Sequence, residues 1–217
     1  LTPIVQTYLG RGVALSGRDT QGFELSGPTA APLGASLPWE KLSGAARLGW
    51  DQLNLYGLQT GKQTLDARMS QGLVRVAPLS VAAGGGRLRI APALQLAPQP
   101  KTLHLEPGIL ADHVAITPEM ANEQMKYVMP ILAGVANVSG AFSVVIDDLR
   151  LPLDDPASGS LSGQLTVHAV DVGPGYITQE LATLLQQPLK MSLTRESTVD
   201  FKMIQGRVYH QNLEFAF

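Results

Sequence analysis

The sequence predicts a mainly β protein: a large curled antiparallel sheet, taco-shaped or open and barrel-like, with two amphipathic helices packed on or across it. Three observations predict it. Turn residues are dense, with 22 Gly and 15 Pro among 217 residues. Between them lie short segments in which apolar and polar residues alternate, the pattern of half-buried antiparallel strands. Most links between these segments are short, which forces neighbouring strands to run antiparallel.

In chain order the expected strands are Gly12–Ser16, Gly22–Ser26, Gly44–Leu55, Thr64–Ser70, Leu73–Val76, Leu79–Ala82, Arg87–Ile90, Ala93–Ala97, Thr102–Leu105 and Ile109–Ile116. After a helix come Gly140–Leu151 and Gly159–Val172. After a second come Leu189–Thr194, Ser197–Ile204 and Arg207–Phe217. The first helix is TPEMANEQMKYVMPILAGV, residues 117–135. Thr117 suits the N-cap, Pro118 the first helical position, and Glu119 the positive N-terminal end. Ala121, Met125, Val128, Leu132 and Val135 recur at three- and four-residue spacing, with Met129 and Ile131 widening the stripe. Pro130 should kink this helix. The second is YITQELATLLQQ, with Ile177, Leu181, Leu184 and Leu185 on one side and Pro188 as its stop. The opening PIVQTYL suits the tail of a third.

Two internal repeats stand out. GAARLGWDQLNL from Gly44 aligns with GAFSVVIDDLRL from Gly140. In both, an Asp follows the Gly after the same interval (Asp51, Asp147), and two Leu follow the Asp. A looser copy runs from Gly163 to Asp171. GLVRVAPLSV from Gly72 aligns with GRVYHQNLEF from Gly206. In the first repeat Gln52 occupies the place of Asp148, so the paired aspartate is not repeated. A single Asp recurring in mid-strand is expected to mark a bulge or turn.

Composition narrows the function. Charged residues are 16% of the chain, hydrophobic residues are 45%, and the net charge is −2. No Lys/Arg run exists, which argues against nucleic acid. With no cysteine, thiolate zinc sites and Cys nucleophiles are excluded. No apolar run reaches the ~18 residues of a membrane-spanning helix. The chain opens LTPIVQTYLGRG, without an initiator Met and inside a helix-like segment, so it is expected to be a fragment of a longer protein. It is read as one β-rich domain, with 1–116 and 117–217 as a possible subdivision.

Polar candidates are few. Asp147 and Asp148 are adjacent on a strand, so their side chains point to opposite faces and cannot easily share an ion. Asp154 and Asp155 sit in a turn composition without the spacing of a calcium loop. His104, His113, His168 and His210 are isolated, without HExxH or His-x-His spacing. Asp112-His113 and a distant Ser could be drawn as a triad, but no GxSxG elbow accompanies them. GGGRLRI lacks the ending of a phosphate loop and leads into a strand. Neither a cofactor nor catalysis is expected. The remaining candidate is apolar surface. Met120, Met125, Val128, Met129 and Leu132 on the first helix, with Leu181 and Leu185 on the second, are the candidate lining of a lipid groove. Methionine adapts its shape to variable apolar ligands. The plainer alternative is that this stripe packs on the sheet.

ESTVDFKMIQGRVYHQNLEF, and GLVRVAPLSVAAGGGRLRI with its following ALQL, resemble the recurring unit of AsmA-like and TamB-like bacterial envelope proteins. In that unit a strand leads through a Gly-rich turn into another strand. The resemblance implies an elongated, strongly curved sheet with an apolar interior. It implies a periplasm-facing place in the cell envelope and a membrane anchor outside this segment. It implies binding or conduction of lipid acyl chains, or support of outer-membrane assembly. The two helices and the many prolines depart from a continuous groove. The alternatives are a structural or interaction module that docks through sheet edges, and a carbohydrate-active or metal-dependent enzyme built on Asp147, Asp148, Asp154 and Asp155.

Overall fold

A computed structural model describes residues 12–17, 21–28, 37–123, 138–172, 183, 191–193 and 196–211. Within them lie ten long strands, several interrupted once. The first is β1 (Val13–Ser16) followed by β2 (Gly22–Ser26). Next are β3 (Ser43–Trp50) with β4 (Gln52–Leu55), and β5 (Leu58–Thr60) with β6 (Gln63–Ser70). Then come β7 (Leu73–Val76) with β8 (Leu79–Ala83), β9 (Gly86–Ile90) with β10 (Pro92–Gln95), and β11 (Thr102–Leu105) with β12 (Gly108–Ala115). The last four are β13 (Val138–Pro152), β14 (Ser160–Val172), β15 (Met191–Leu193) with β16 (Ser197–Ile204), and β17 (Arg207–Gln211).

Each long strand pairs only with its neighbours in the chain, and every described ladder is antiparallel. The result is a meander that does not close into a barrel. β5 and β8 carry no ladder between them, so β1, β4 and β5 form a three-stranded flap beside the fourteen-stranded sheet. The ladder of β12 on β13 joins residues on the two sides of the 116/117 boundary.

Short hairpins impose this order. Tyr56-Gly57, Gln71-Gly72, Gly84-Gly85 and Gln205-Gly206 are two-residue turns in which both residues have positive φ. Those are the turns whose twist matches that of the strands they join. Gly72 and Gly206, the starting points of the second sequence repeat, have φ of 74° and 73°. That repeat is thus a recurrent hairpin.

The repeated aspartates mark register changes. Asp147 is an extra residue between the Ile146–Gly163 and Asp148–Ser162 pairs. On its N-terminal side the alternation turns Phe142, Val144 and Ile146 inward; on its C-terminal side it turns Leu149 and Leu151 to the same face. A one-residue slip reverses every side chain beyond it, and the bulge supplies that slip. Asp51 sits at the bend between β3 and β4 and plays the same part between Leu48-x-Trp50 and Leu53-x-Leu55. The expectation of a bulge or turn at these positions holds. Asp147 is exposed. Asp148 accepts a hydrogen bond from Ser160 Oγ and an ion pair from Arg150 Nε at 3.3 Å.

A line of interruptions crosses four successive strands. Ala77 and Pro78 lie opposite Ala91, Ala91 opposite Glu106-Pro107, and those opposite Asp147. Proline cannot donate to a ladder, so Pro78 and Pro107 each end the pairing here. Along this crease the sheet divides into two parts. In the part built from β8, β9, β12, the first half of β13 and the second half of β14, Val114, Val167, Val170, Ile146 and Leu165 are almost wholly buried, joined by Val199 and Phe201 of β16. In the other part, from β2 to β11, the apolar face is only partly buried.

One helix is described, α1 (Pro118–Glu123), rather than two amphipathic helices. It starts as expected: the Thr117 hydroxyl oxygen accepts a hydrogen bond from Met120 N–H at 3.1 Å, an N-cap, while that hydroxyl donates to the Tyr56 carbonyl. The rest of the first expected helix, the second one and the opening PIVQTYL segment lie outside the described residues, apart from Thr183. Alternation also missed β5, too short to show it. Among the described residues no helix is long and apolar enough to cross a membrane.

Candidate functional site

The groove residues expected from the sequence do not assemble into a described site. Met120 is 9% exposed and belongs to the core, packed with Ala121 under the buried half of the sheet. Its side chain sits in the core cluster, not on an open surface. Met125, Val128, Met129, Leu132, Leu181 and Leu185 lie outside the described residues.

Apolar surface is instead found on the sheet itself. In β2 to β11 directly opposed residues share a face, and they form rows that cross the strands. One row reads Leu25, Gly44, Met69, Val74, Leu94, Leu103, Leu151, each opposite the next. At the usual strand spacing these seven positions span roughly 29 Å. A parallel row runs Phe23, Ala46, Ala67 opposite Val76. Another, starting at Pro92, runs Leu105, Leu149, Leu161, Met203, Val208. The rows are partly buried in the middle and open at the β2 end, where Phe23 is 78% and Leu25 49% exposed. Over the crease lies a cavity of about 280 Å³ lined by Leu79, Ile90, Leu105, Ile109 and Leu110 with Arg89 and Glu106. Ile90 and Ile109 are exposed there.

The opposite face of the same strands is polar. Arg47, Arg68, Arg75, Asp66, Glu24 and Glu106 border a groove of about 1070 Å³ that Phe23, Ala46, Ala67, Val76 and Pro92 of the apolar rows also line. Arg47 Nε and Asp66 Oδ1 pair at 3.0 Å.

Two of the four histidines meet. His113, in the bulge of β12 with φ 50°, stacks on His168 of β14 with ring centroids 4.1 Å apart. Each Nδ1 stands 2.8 Å from a carboxylate, His113 from Asp112 and His168 from Glu196. A carboxylate only accepts, so Nδ1 carries the proton. A neutral His168 then accepts at Nε2 from Ser143 Oγ, 2.8 Å away. Ser143 Oγ in turn accepts the His113 backbone N–H at 3.0 Å. The Asp112 carboxyl is held below its usual pKa, chiefly by the His113 hydrogen bond, against an opposing effect of burial; the charge of Arg89, and of the two imidazoles when protonated, adds to the lowering.

Ser143, His168 and Glu196 stand in the order of nucleophile, base and orienting acid. Here the same atoms also tie the β12 bulge to β13 and β14. Ser143 lies in the middle of β13 opposite Thr166, and its Oγ accepts the backbone N–H of the bulged His113. None of these residues lines either concavity. The histidines looked isolated because only the antiparallel register, with its bulges at Asp112-His113 and near Ala169, brings them together. His104 and His210 stand apart on β11 and β17. Asp154 and Asp155 are exposed in the β13–β14 loop. Among the described residues no group of three His, Asp or Glu side chains is placed to hold a metal ion. Compared with known proteins, the chain matches no family model, no curated protein and no solved structure.

Proposed function

We propose that this chain is a non-enzymatic section of a cell-envelope protein whose apolar sheet face binds or conducts lipid acyl chains. One observation carries the reading: the row from Leu25 to Leu151 is an unbroken, partly open apolar track across seven strands. An acyl chain is long, thin and without hydrogen-bonding groups. It suits a track crossing strands, where every ladder is already satisfied and only side chains line the path. The exposed Phe23 and Leu25 are where such a track would continue onto a further strand or a membrane. The resemblance to AsmA-like and TamB-like proteins, the periplasm-facing location and a role in lipid transport or outer-membrane assembly belong to the same proposal.

The test is native mass spectrometry of the protein purified from envelopes, followed by organic extraction and titration with a fluorescent fatty acid. Near-stoichiometric acyl species, and probe binding lost in Met69→Asp and Val74→Asp with strand content unchanged by circular dichroism, support the proposal. A clean mass and no probe binding overturn it.

A second reading rests on β2, whose five residues are all exposed and whose outer edge has no ladder among the described residues. It makes the chain an interaction module that docks a strand of a neighbouring domain or chain by edge pairing. Self-association abolished by a proline in place of Glu24, in protein free of lipid, would favour it.

A further inference from the structure

Arg68 of β6 and Arg75 of β7 are directly opposite one another in the antiparallel ladder. Both are exposed and both line the 1070 Å³ groove. Like charges directly opposed across strands destabilise a sheet. Nearby arginines are matched: Arg47 with Asp66 and Arg150 with Asp148. Among the described residues, neither Arg68 nor Arg75 has an acidic partner. Their row reads Glu24, Ala45, Arg68, Arg75, Ala93, His104, Arg150, each opposite the next. An alanine therefore stands on each side of the arginine pair.

We propose that Arg68 and Arg75 together hold a phosphate group, as the phosphoryl headgroup of a lipid or as a free phosphate. Two planar guanidinium groups present parallel N–H donors that match the oxygens of a tetrahedral anion. An anion between them turns a repulsive cross-strand pair into a bridged one. Alanine at both flanking positions leaves room for what the phosphate carries. By strand alternation the two arginines project to the face opposite Met69 and Val74, and phosphate binding is read separately from acyl binding.

The experiment follows the arginine side-chain N–H resonances while inorganic phosphate is titrated, and in parallel measures flotation with vesicles of phosphatidylglycerol. The expected result is a saturable shift confined to Arg68 and Arg75, weakened at least tenfold in Arg68→Gln and in Arg75→Gln. Phosphate should also raise the Tm of the wild type and not of these variants, since a ligand stabilises only the state that binds it. Binding of inorganic phosphate without flotation assigns a free or soluble phosphate. Arginine-dependent flotation assigns the headgroup. Overturning results would be no saturable shift and no flotation difference between wild type and variants, or shifts of equal size at Arg89 and Arg150.

Discussion

The imidazole rings of His113 and His168 stack with their planes 11° apart and their centroids 4.1 Å apart. Each ring is tied at Nδ1 to a different carboxylate. The pair bridges β12 and β14 across β13, linked by Ser143 of that middle strand. A network of this kind orders a place where the ladder itself is irregular.

Its acid–base behaviour gives the first prediction. The Asp112 carboxyl should titrate below the ordinary value of about 3.9, and His113→Gln should move it back upward, because the hydrogen bond from His113 is the largest cause. The sign follows from linkage: a lowered folded pKa adds stability above the unfolded pKa, and that stability is lost as pH falls through the folded value. Carboxyl carbon shifts followed from pH 6 to about pH 2 test this. An unchanged Asp112 midpoint in the variant would refute it.

The bulge at Asp147 needs the extra residue rather than its charge. Asp147→Asn should change stability by less than about 0.5 kcal/mol, as exposed substitutions do. Inserting one more residue after Asp147 should unfold the protein or change its register, because Phe142, Val144 and Ile146 would then oppose the face used by Leu149 and Leu151. Urea unfolding of the two variants separates residue count from carboxylate chemistry. Comparable destabilisation by both would favour the carboxylate.

Gly163 lies beneath the Phe201 ring, opposite Ile146 on one side and Phe201 on the other. A Cβ there would press on the Val145 carbonyl oxygen and come within 2.9 Å of Phe201 Cζ. Gly163→Ala is expected to cost about 1–3 kcal/mol through overpacking. A denaturant midpoint equal to wild type would mean that Phe201 swings away freely.

Met120 separates core from groove. Truncation to Ala should cost about 2–5 kcal/mol, the range for a buried methionine, with binding of an acyl probe per folded molecule unchanged. If stability holds and probe binding falls, Met120 lines a ligand site after all.

Much of the sheet was legible in the sequence because its turns are short and carry glycine where positive φ is required, as at Gly72 and Gly206. The repeat built on Asp51 and Asp147 also carried structural meaning, since a change in alternation is itself a sequence pattern. The breaks at Pro78 and Pro107 were legible too, since a proline interrupts the alternation where it ends the pairing. What remained hidden depends on pairing across the chain. The meeting of His113 with His168, and of Arg68 with Arg75, follows from register, which local periodicity does not specify. The apolar stripe that drew notice was helical, and its first residue, Met120, turned out to be core. The open apolar rows alternate like any half-buried strand, and only the absence of a described cover over Phe23 and Leu25 sets them apart.

Because each long strand is zipped to the one made just before it, every described ladder joins long strands that are consecutive in the chain. Topologies with such local pairing close small loops first and fold faster than those that join remote segments. A sheet of this kind can assemble from its first hairpin onward as the polypeptide emerges. It can also lengthen by one hairpin at a time, without rethreading any strand already in place.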